Sequence, residues 1–187
     1  MPTLEIGPPP WLDDLVEWER AYDRDEARMR LVVALARENV LRESGGPFGA
    51  AVFETPGGRL VAAGVNSVTR LGNSVLHAEV VAIMMAQHRV ASFTLAGPGL
   101  PRHELVTSCE PCAMCLGAIL WSGVRRLVCG AAREDATSLG FDEGPVFDAS
   151  YEHLRSRGIA VDRGVLRREA AAVLLLYRDR GGPIYNG

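Results

Sequence analysis

The chain has 187 residues, 48% of them apolar and 23% charged, with a net charge of -3, which suits one soluble globular domain and excludes a disordered or fibrous chain. An acidic balance leaves no electrostatic footprint for a polyanion, so a small substrate is favoured over RNA or DNA. Four cysteines, three of them between Cys109 and Cys115, are too few for a disulfide scaffold; their clustering points to a reducing compartment and a metal.

The opening MPTLEIGPPPW has neither the basic n-region nor the apolar h-region of a secretory signal, and no run reaches the ~18 apolar residues of a membrane span. The expectation is a cytoplasmic protein with no membrane partner. Pro8, Pro9 and Pro10 remove backbone donors and predict an extended arm over residues 1–10. From Trp11 to Glu43, Leu12, Leu15 and Val16, then Met29, Val32, Val33, Ala36 and Val40, recur at helical spacing with a break near Asp23 to Asp25, predicting two helices. Residues 1–43 are therefore expected to pack, as arm and helices, on a catalytic domain spanning residues 44–187.

Ala50 to Phe53 and Leu60 to Val65 are strand-like runs around Thr55-Pro56-Gly57-Gly58, the pattern of a β-hairpin. Beyond it, helices are predicted over Ala78 to Gln87, Cys112 to Trp121, Phe147 to Arg155 and Glu169 to Arg178. Strands are predicted over Leu105 to Ser108, Arg126 to Cys129 and Ile159 to Val161. Alternation after an opening hairpin implies a three-layer α/β/α sandwich with a mixed five-stranded sheet. The pairs Arg125/Arg126 and Arg167/Arg168 read as solvated edges, His88, His103 and His153 as surface residues, and Cys109 and Cys129 as small buried hydrophobes.

Two segments carry chemistry: His77-Ala78-Glu79 and Cys109-Glu110-Pro111-Cys112-Ala113-Met114-Cys115, each opening a helix at a strand-to-helix junction. With Pro111 at the first helical position, Cys112 and Cys115 lie three residues apart on one face. Both sulfurs then sit near a helix N-terminus, whose dipole favours the thiolate. His77 and Glu79 are about 200° apart around a helix, so they converge only off its end. One zinc ion per chain, held by His77, Cys112 and Cys115, keeps a fourth position for water, which is the catalytic rather than the structural arrangement. Glu79, beside the metal and not a ligand, is expected to move the water proton to the ring nitrogen and the departing amine. The spacing H-x-E…P-C-x-x-C is the signature of zinc deaminases. A lone C-x-x-C would equally suit a redox pair, but that leaves His77, Glu79 and Pro111 unexplained.

From about Ser44 onward the chain resembles the bacterial-type guanine deaminases and related guanosine deaminases of the cytidine deaminase superfamily. The matching segments are Gly45-Gly46-Pro47-Phe48-Gly49-Ala50, Asn66-Ser67-Val68-Thr69, His77-Ala78-Glu79, Thr107 to Trp121, and Gly140-Phe141-Asp142-Glu143-Gly144-Pro145. The resemblance implies deamination of guanine to xanthine, with Asn66 on the purine edge, Phe48 and Trp121 as apolar walls, and Ala78 and Asp135 as further substrate contacts. It implies that Glu143 meets the N–H edge of guanine and assists proton transfer as a second catalytic group. It also implies a homodimer in which C-terminal elements can be exchanged, and makes Tyr185, in the tail Gly181 to Gly187, a lid over the bound base. An Asn that holds its own turn, aromatics that only fill the core, and a frayed tail are the plainer alternatives. Guanosine, cytosine, an amino-triazine or tRNA adenosine would suit the same catalytic core. A non-catalytic zinc module would suit the ligands but not Glu79, which holding a metal does not require.

Overall fold

The computed structural model describes residues 5–185; Met1 to Leu4 of the expected arm and Asn186 and Gly187 of the tail lie outside the described residues. Five strands, β1 (Gly49–Thr55), β2 (Leu60–Val65), β3 (Arg102–Cys109), β4 (Arg126–Ala131) and β5 (Ala160–Asp162), form one sheet in the order β2-β1-β3-β4-β5. β1 runs antiparallel to β2 and β3, whereas β3–β4 and β4–β5 are parallel. The sheet is therefore mixed. The hairpin closes through Gly57 and Gly58, both at positive φ. Each parallel step requires a crossover, made by helix α5 (Ala113–Ser122) and then by α6 (Arg133–Thr137) and α7 (Asp148–Ser156).

Alternate strand residues face opposite layers, as the two-residue period demands. Ala50, Val52, Leu105 and Leu127 meet α5, α7 and α4 (Ala78–Arg89). Ala51, Phe53, Val106 and Val128 meet α1 (Trp11–Leu15) and α2 (Asp25–Leu41), and α8 (Arg167–Asp179) extends that second layer through Ala170, Val173 and Leu174. Cover on both faces explains why the central strands are apolar without a polar side. Fully buried side chains such as Phe53 and Leu35 each stabilise the fold by ~1.5–3 kcal/mol. Gly64 lets α4 approach β2 closely: a Cβ there would stand 2.5 Å from Ala82 N and 2.6 Å from Ala78 O. That approach places the start of α4 beside the end of the hairpin.

Several expectations need correction. Arg126 is no free edge: it pairs with Asp25, Glu104 and Asp162, and Glu104, fully buried, also pairs with Arg28. The cluster ties α2 to three strands and keeps the Glu104 charge compensated. Arg125, Arg167 and Arg168 are exposed as expected, and Arg167 pairs with Asp135 at the surface. His103 is buried rather than at the surface, with Nδ1 2.8 Å from Leu95 O. Pro111 precedes the helix instead of opening it, because Cys112 is the N-cap of α5. Two short helices, α3 (Val68–Leu71) and α6, lie where no element was predicted, and α3 separates β2 from α4, so the His77 segment does not follow a strand directly. No helix among the described residues is long and apolar enough to cross a membrane.

Candidate active site

The site is built where α4 and α5 begin. His77, the N-cap of α4, holds extended backbone, as does Cys112, the N-cap of α5, so both side chains project off the helix ends. Cys115, one turn into α5, comes up beside Cys112. His77 Nδ1 lies 3.5 Å from Cys112 Sγ and 3.6 Å from Cys115 Sγ, and the three donor atoms all fall within 4.8 Å of one another. Tetrahedral zinc with bonds of ~2.3 Å to sulfur and ~2.0–2.1 Å to imidazole nitrogen separates such atoms by about 3.5 Å. The residues fit the metal.

The electrostatics agree. Hydrogen bonding from Cys115 lowers the Cys112 thiol to about 4, against burial and with help from His77. Cys115 is held up by its bond to that same sulfur and by burial: without a cation, two adjacent sulfurs cannot both ionise. Burial opposes a charged His77, but the bond to Cys112 and the negative Glu79 outweigh it, so its pKa is raised. A divalent cation at the centre of this set resolves the repulsion by ionising both thiols. Cys109 and Cys129 are also free and buried, with burial holding both thiols well above their usual range. They behave as the small apolar residues expected.

Glu79, in the first turn of α4 and buried, accepts a hydrogen bond from Thr107 Oγ1 at 3.0 Å and lies 3.4 Å from Cys115 Sγ. Thr107 thus aims the carboxylate at the metal site without Glu79 joining the ligand set. Burial first, and then the Cys112 sulfur, raise its pKa, which suits a group that must both take and give a proton.

A chamber opens beside these groups. It is lined by Phe48, Asn66, His77, Glu79, Glu110 and Cys112, and by Phe141, Asp142, Glu143 and Tyr185. Asn66 is almost wholly buried; its Oδ1 accepts from Val68 N at 3.2 Å, while its Nδ2 has no partner. The Val68 N–H fixes the amide orientation, since a flipped Asn66 would set donor against donor. Asn66 therefore does both things considered for it: it holds its own turn and presents a free buried donor to the chamber. Asn39 of α2 fixes the strap behind it, donating from Nδ2 to Gly46 O and Asn66 O at 2.8 and 2.9 Å.

Glu143 lines the same chamber. Burial, then the negative Cys112 and Glu79, push its pKa up to about 8. Its carbonyl accepts from Ala113 N at 2.9 Å, coupling the Glu143 loop to the metal helix. Phe141 anchors that loop edge-on to Phe48 and Tyr185, with ring centroids 5.1 and 5.4 Å apart. Tyr185 comes from the chain's own tail, and burial raises its phenol pKa; its hydroxyl is buried against Gly46 without a partner. With Tyr185 in place the free cavity is about 30 Å³, room for about two waters and not for a purine.

Profile comparison matches residues 22–131, more than half the chain, to the family described as the cytidine and deoxycytidylate deaminase zinc-binding region. This chain belongs to that family. The deaminase is thus a zinc-dependent aminohydrolase, and its matched span contains His77, Glu79, Cys112 and Cys115. Guanine deaminase of Bacillus subtilis is 39% identical to it over 122 residues, covering 65% of this chain and 74% of that protein. A guanine deaminase from Nitrosomonas europaea superposes with a TM-score of 0.90 at 46% identity, covering 95% of this chain and 97% of that one. A structure solved in complex with 2,6-diaminopurine superposes with a TM-score of 0.92 at 47% identity, covering 98% of this chain and 97% of that one.

Three expected substrate contacts of the deaminase, Trp121, Asp135 and Ala78, are not among the residues lining the chamber. Trp121, near the end of α5, is 76% exposed and does not line the chamber. Asp135 accepts from Ala132 N at 2.9 Å, capping α6, and forms a two-bond ion pair with Arg167, which holds its carboxyl below the usual range. Ala78 sits buried between His77 and Glu79, a spacer whose side chain faces the core. Sequence reasoning missed Thr107, Phe141 and Glu110 as parts of the site. Thr107 comes nearest to a readable signal, a hydroxyl two residues before Cys109 on the strand that leads into the motif.

Proposed function

We propose that this deaminase converts guanine to xanthine and ammonia, with the free base preferred over its nucleoside. The observation that supports it most is that the free Asn66 Nδ2 donor and Glu143 line one chamber. Guanine offers acceptors on one edge and the N1–H and 2-amino donors on another, and these two side chains complement both. The guanine deaminases among the matching folds point the same way. Zinc when bound lowers the pKa of a coordinated water towards ~7 and so supplies the nucleophile. Glu79 takes a proton from the attacking water and delivers it to the ring nitrogen. The second water proton, left on the carbon-bound hydroxyl, passes through Glu79 to the departing amine; Glu143 accepts from the N–H edge of guanine and assists that transfer, and Phe48 and Phe141 wall the ring.

Glu143→Gln tests this directly. The substitution keeps the shape but removes the carboxylate, so guanine turnover should fall by ~10²-fold or more, on the scale of a lost general acid–base group, while zinc content stays at one per chain. Unimpaired turnover would remove Glu143 from the mechanism.

The tail is proposed as the lid that admits the base and then excludes water. Tyr185 must leave the space it fills for guanine to bind, and returning it places an aromatic ring over the base. Tyr185→Ala should lower kcat/KM about tenfold, in line with ~1–3 kcal/mol for a base stacked on an aromatic ring, with fold and zinc unchanged. An unaltered kcat/KM would show the tail to be idle. Tyr185 lines the chamber of its own chain, which supports closure by the chain's own tail.

A homodimer is proposed as well, on the outer face of α5. Met114 and Trp121 are exposed there, seven residues apart on one side of the helix, and exposed Phe147 flanks the adjoining apolar groove. Exposed apolar surface of this kind marks an interface. Light scattering should report a dimer that Trp121→Glu converts to a monomer; a wild-type monomer would contradict this.

A further inference from the structure

We infer that Arg163 is a positioning residue of the metal centre, acting through Glu110 on the turn that presents Cys112. Arg163 follows β5, far along the chain from the ligands. Its Nε donates to Glu110 Oε1 at 2.6 Å and its second guanidinium nitrogen to Glu110 Oε2 at 3.1 Å. Tyr151 of α7 donates its hydroxyl to the same Oε2 at 3.1 Å, and the guanidinium lies 4.6 Å from the Tyr151 ring centroid. Asp148, 3.6 Å from Arg163, is the other charge on this group. Glu110 itself is 5% exposed at the chamber wall. Both its oxygens are therefore engaged, in a fork geometry that fixes the plane of the carboxylate.

That plane matters because only Pro111 separates Glu110 from Cys112. Proline locks its own φ and restricts the residue before it to extended backbone. The backbone between the Glu110 and Cys112 Cα atoms then keeps few soft torsions, so a shift of Glu110 as it re-pairs is passed to Cys112. Proline also lacks an N–H with which the backbone could tie the turn down. The turn is held instead at its two ends, by Glu110 N donating to Ala131 O and by Ala113 N donating to Glu143 O, both at 2.9 Å, and from the side by the Arg163 clamp. Loss of Arg163 strands a buried carboxylate, which must reorient to find water or another donor, and the turn carrying Cys112 moves with it. No step of the deamination uses Arg163, so its role concerns the metal geometry, whichever base the enzyme takes.

The test compares Arg163→Met and Arg163→Lys with the wild-type zinc enzyme and with its cobalt(II)-substituted form. In Arg163→Met, zinc affinity measured against a chromophoric chelator should fall about tenfold and kcat similarly, the usual effect of removing a group behind a metal ligand, with KM little changed. The cobalt(II) visible absorption should shift, and Arg163→Lys should recover part of each loss. A folded Arg163→Met protein with wild-type zinc affinity and cobalt spectrum overturns the inference even if its melting temperature falls, as does a loss confined to KM. Should Arg163→Met fail to fold, Glu110→Gln, which keeps the Tyr151 contact but removes the charge, is read by the same measurements. Metal affinity and the cobalt spectrum need no substrate, so failure here is distinct from failure of the guanine reading.

Discussion

Replacing Glu79 with alanine should leave one zinc ion per chain in place while the deamination rate drops by ~10²–10⁴, the range for loss of a general acid–base group. The expectation follows from where the carboxylate stands. One oxygen is taken by Thr107 and the other lies 3.4 Å from the Cys115 sulfur, so Glu79 borders the ligand set without completing it. Zinc keeps His77, Cys112 and Cys115 when the carboxylate goes, and what disappears is the group that carries protons between water, ring and leaving amine. Glutamine at the same position retains the shape and the Thr107 partner but cannot cycle a proton, so Glu79→Gln should behave like the alanine variant. Metal analysis beside a rate measurement separates the outcomes. Zinc loss in either variant would make Glu79 structural, and undiminished turnover would take it out of the mechanism.

Cys112→Ala should abolish both zinc and activity. Two ligands remain, His77 and Cys115, and Cys115 alone is a thiol that burial keeps protonated, a poor anchor for a cation. Because zinc binds the folded chain and not the unfolded one, it stabilises the native state by RT ln(1 + [Zn]/Kd), ~2.7 kcal/mol at a concentration 100 times Kd. Chelator should therefore lower the melting temperature of the wild-type protein and leave that of Cys112→Ala unmoved. A Cys112→Ala protein that retains stoichiometric zinc and full activity would sink the ligand assignment.

The metal ligands and Glu79 are legible in the sequence because coordination chemistry imposes spacing. One imidazole and two thiolates must reach a single point, and H-x-E with P-C-x-x-C at two helix starts is a compact way to bring them there. The layered fold is legible for a related reason: the apolar runs switch period between strands and helices of ordinary length. Direction is not legible. Trp121 belongs to the same motif as Cys112 and Cys115, yet its position on α5 turns it to the outer face, and resemblance alone does not say which way a side chain points. Asp135 is drawn into the site by its charge; in the fold that charge caps α6 and pairs with Arg167. Arg126 and His103 look like surface residues because polar side chains usually are, and their buried partners come from distant segments, Asp25 and Glu104 for one and Leu95 for the other. Helices α3 and α6, with four and five residues, are too short to show a period.

The proposed function gives the chamber two kinds of chemistry, a metal side carried by His77, Cys112 and Cys115 and an Asn66–Glu143 side proposed to select the base. The measurement that tests that selection is ammonia release by the purified zinc enzyme from guanine, guanosine, adenine, cytosine, an amino-triazine and an adenosine-bearing RNA stem-loop. Guanine should give the highest kcat/KM, with xanthine as the product and guanosine behind it. Rapid turnover of cytosine or of the RNA with none of guanine would contradict the account.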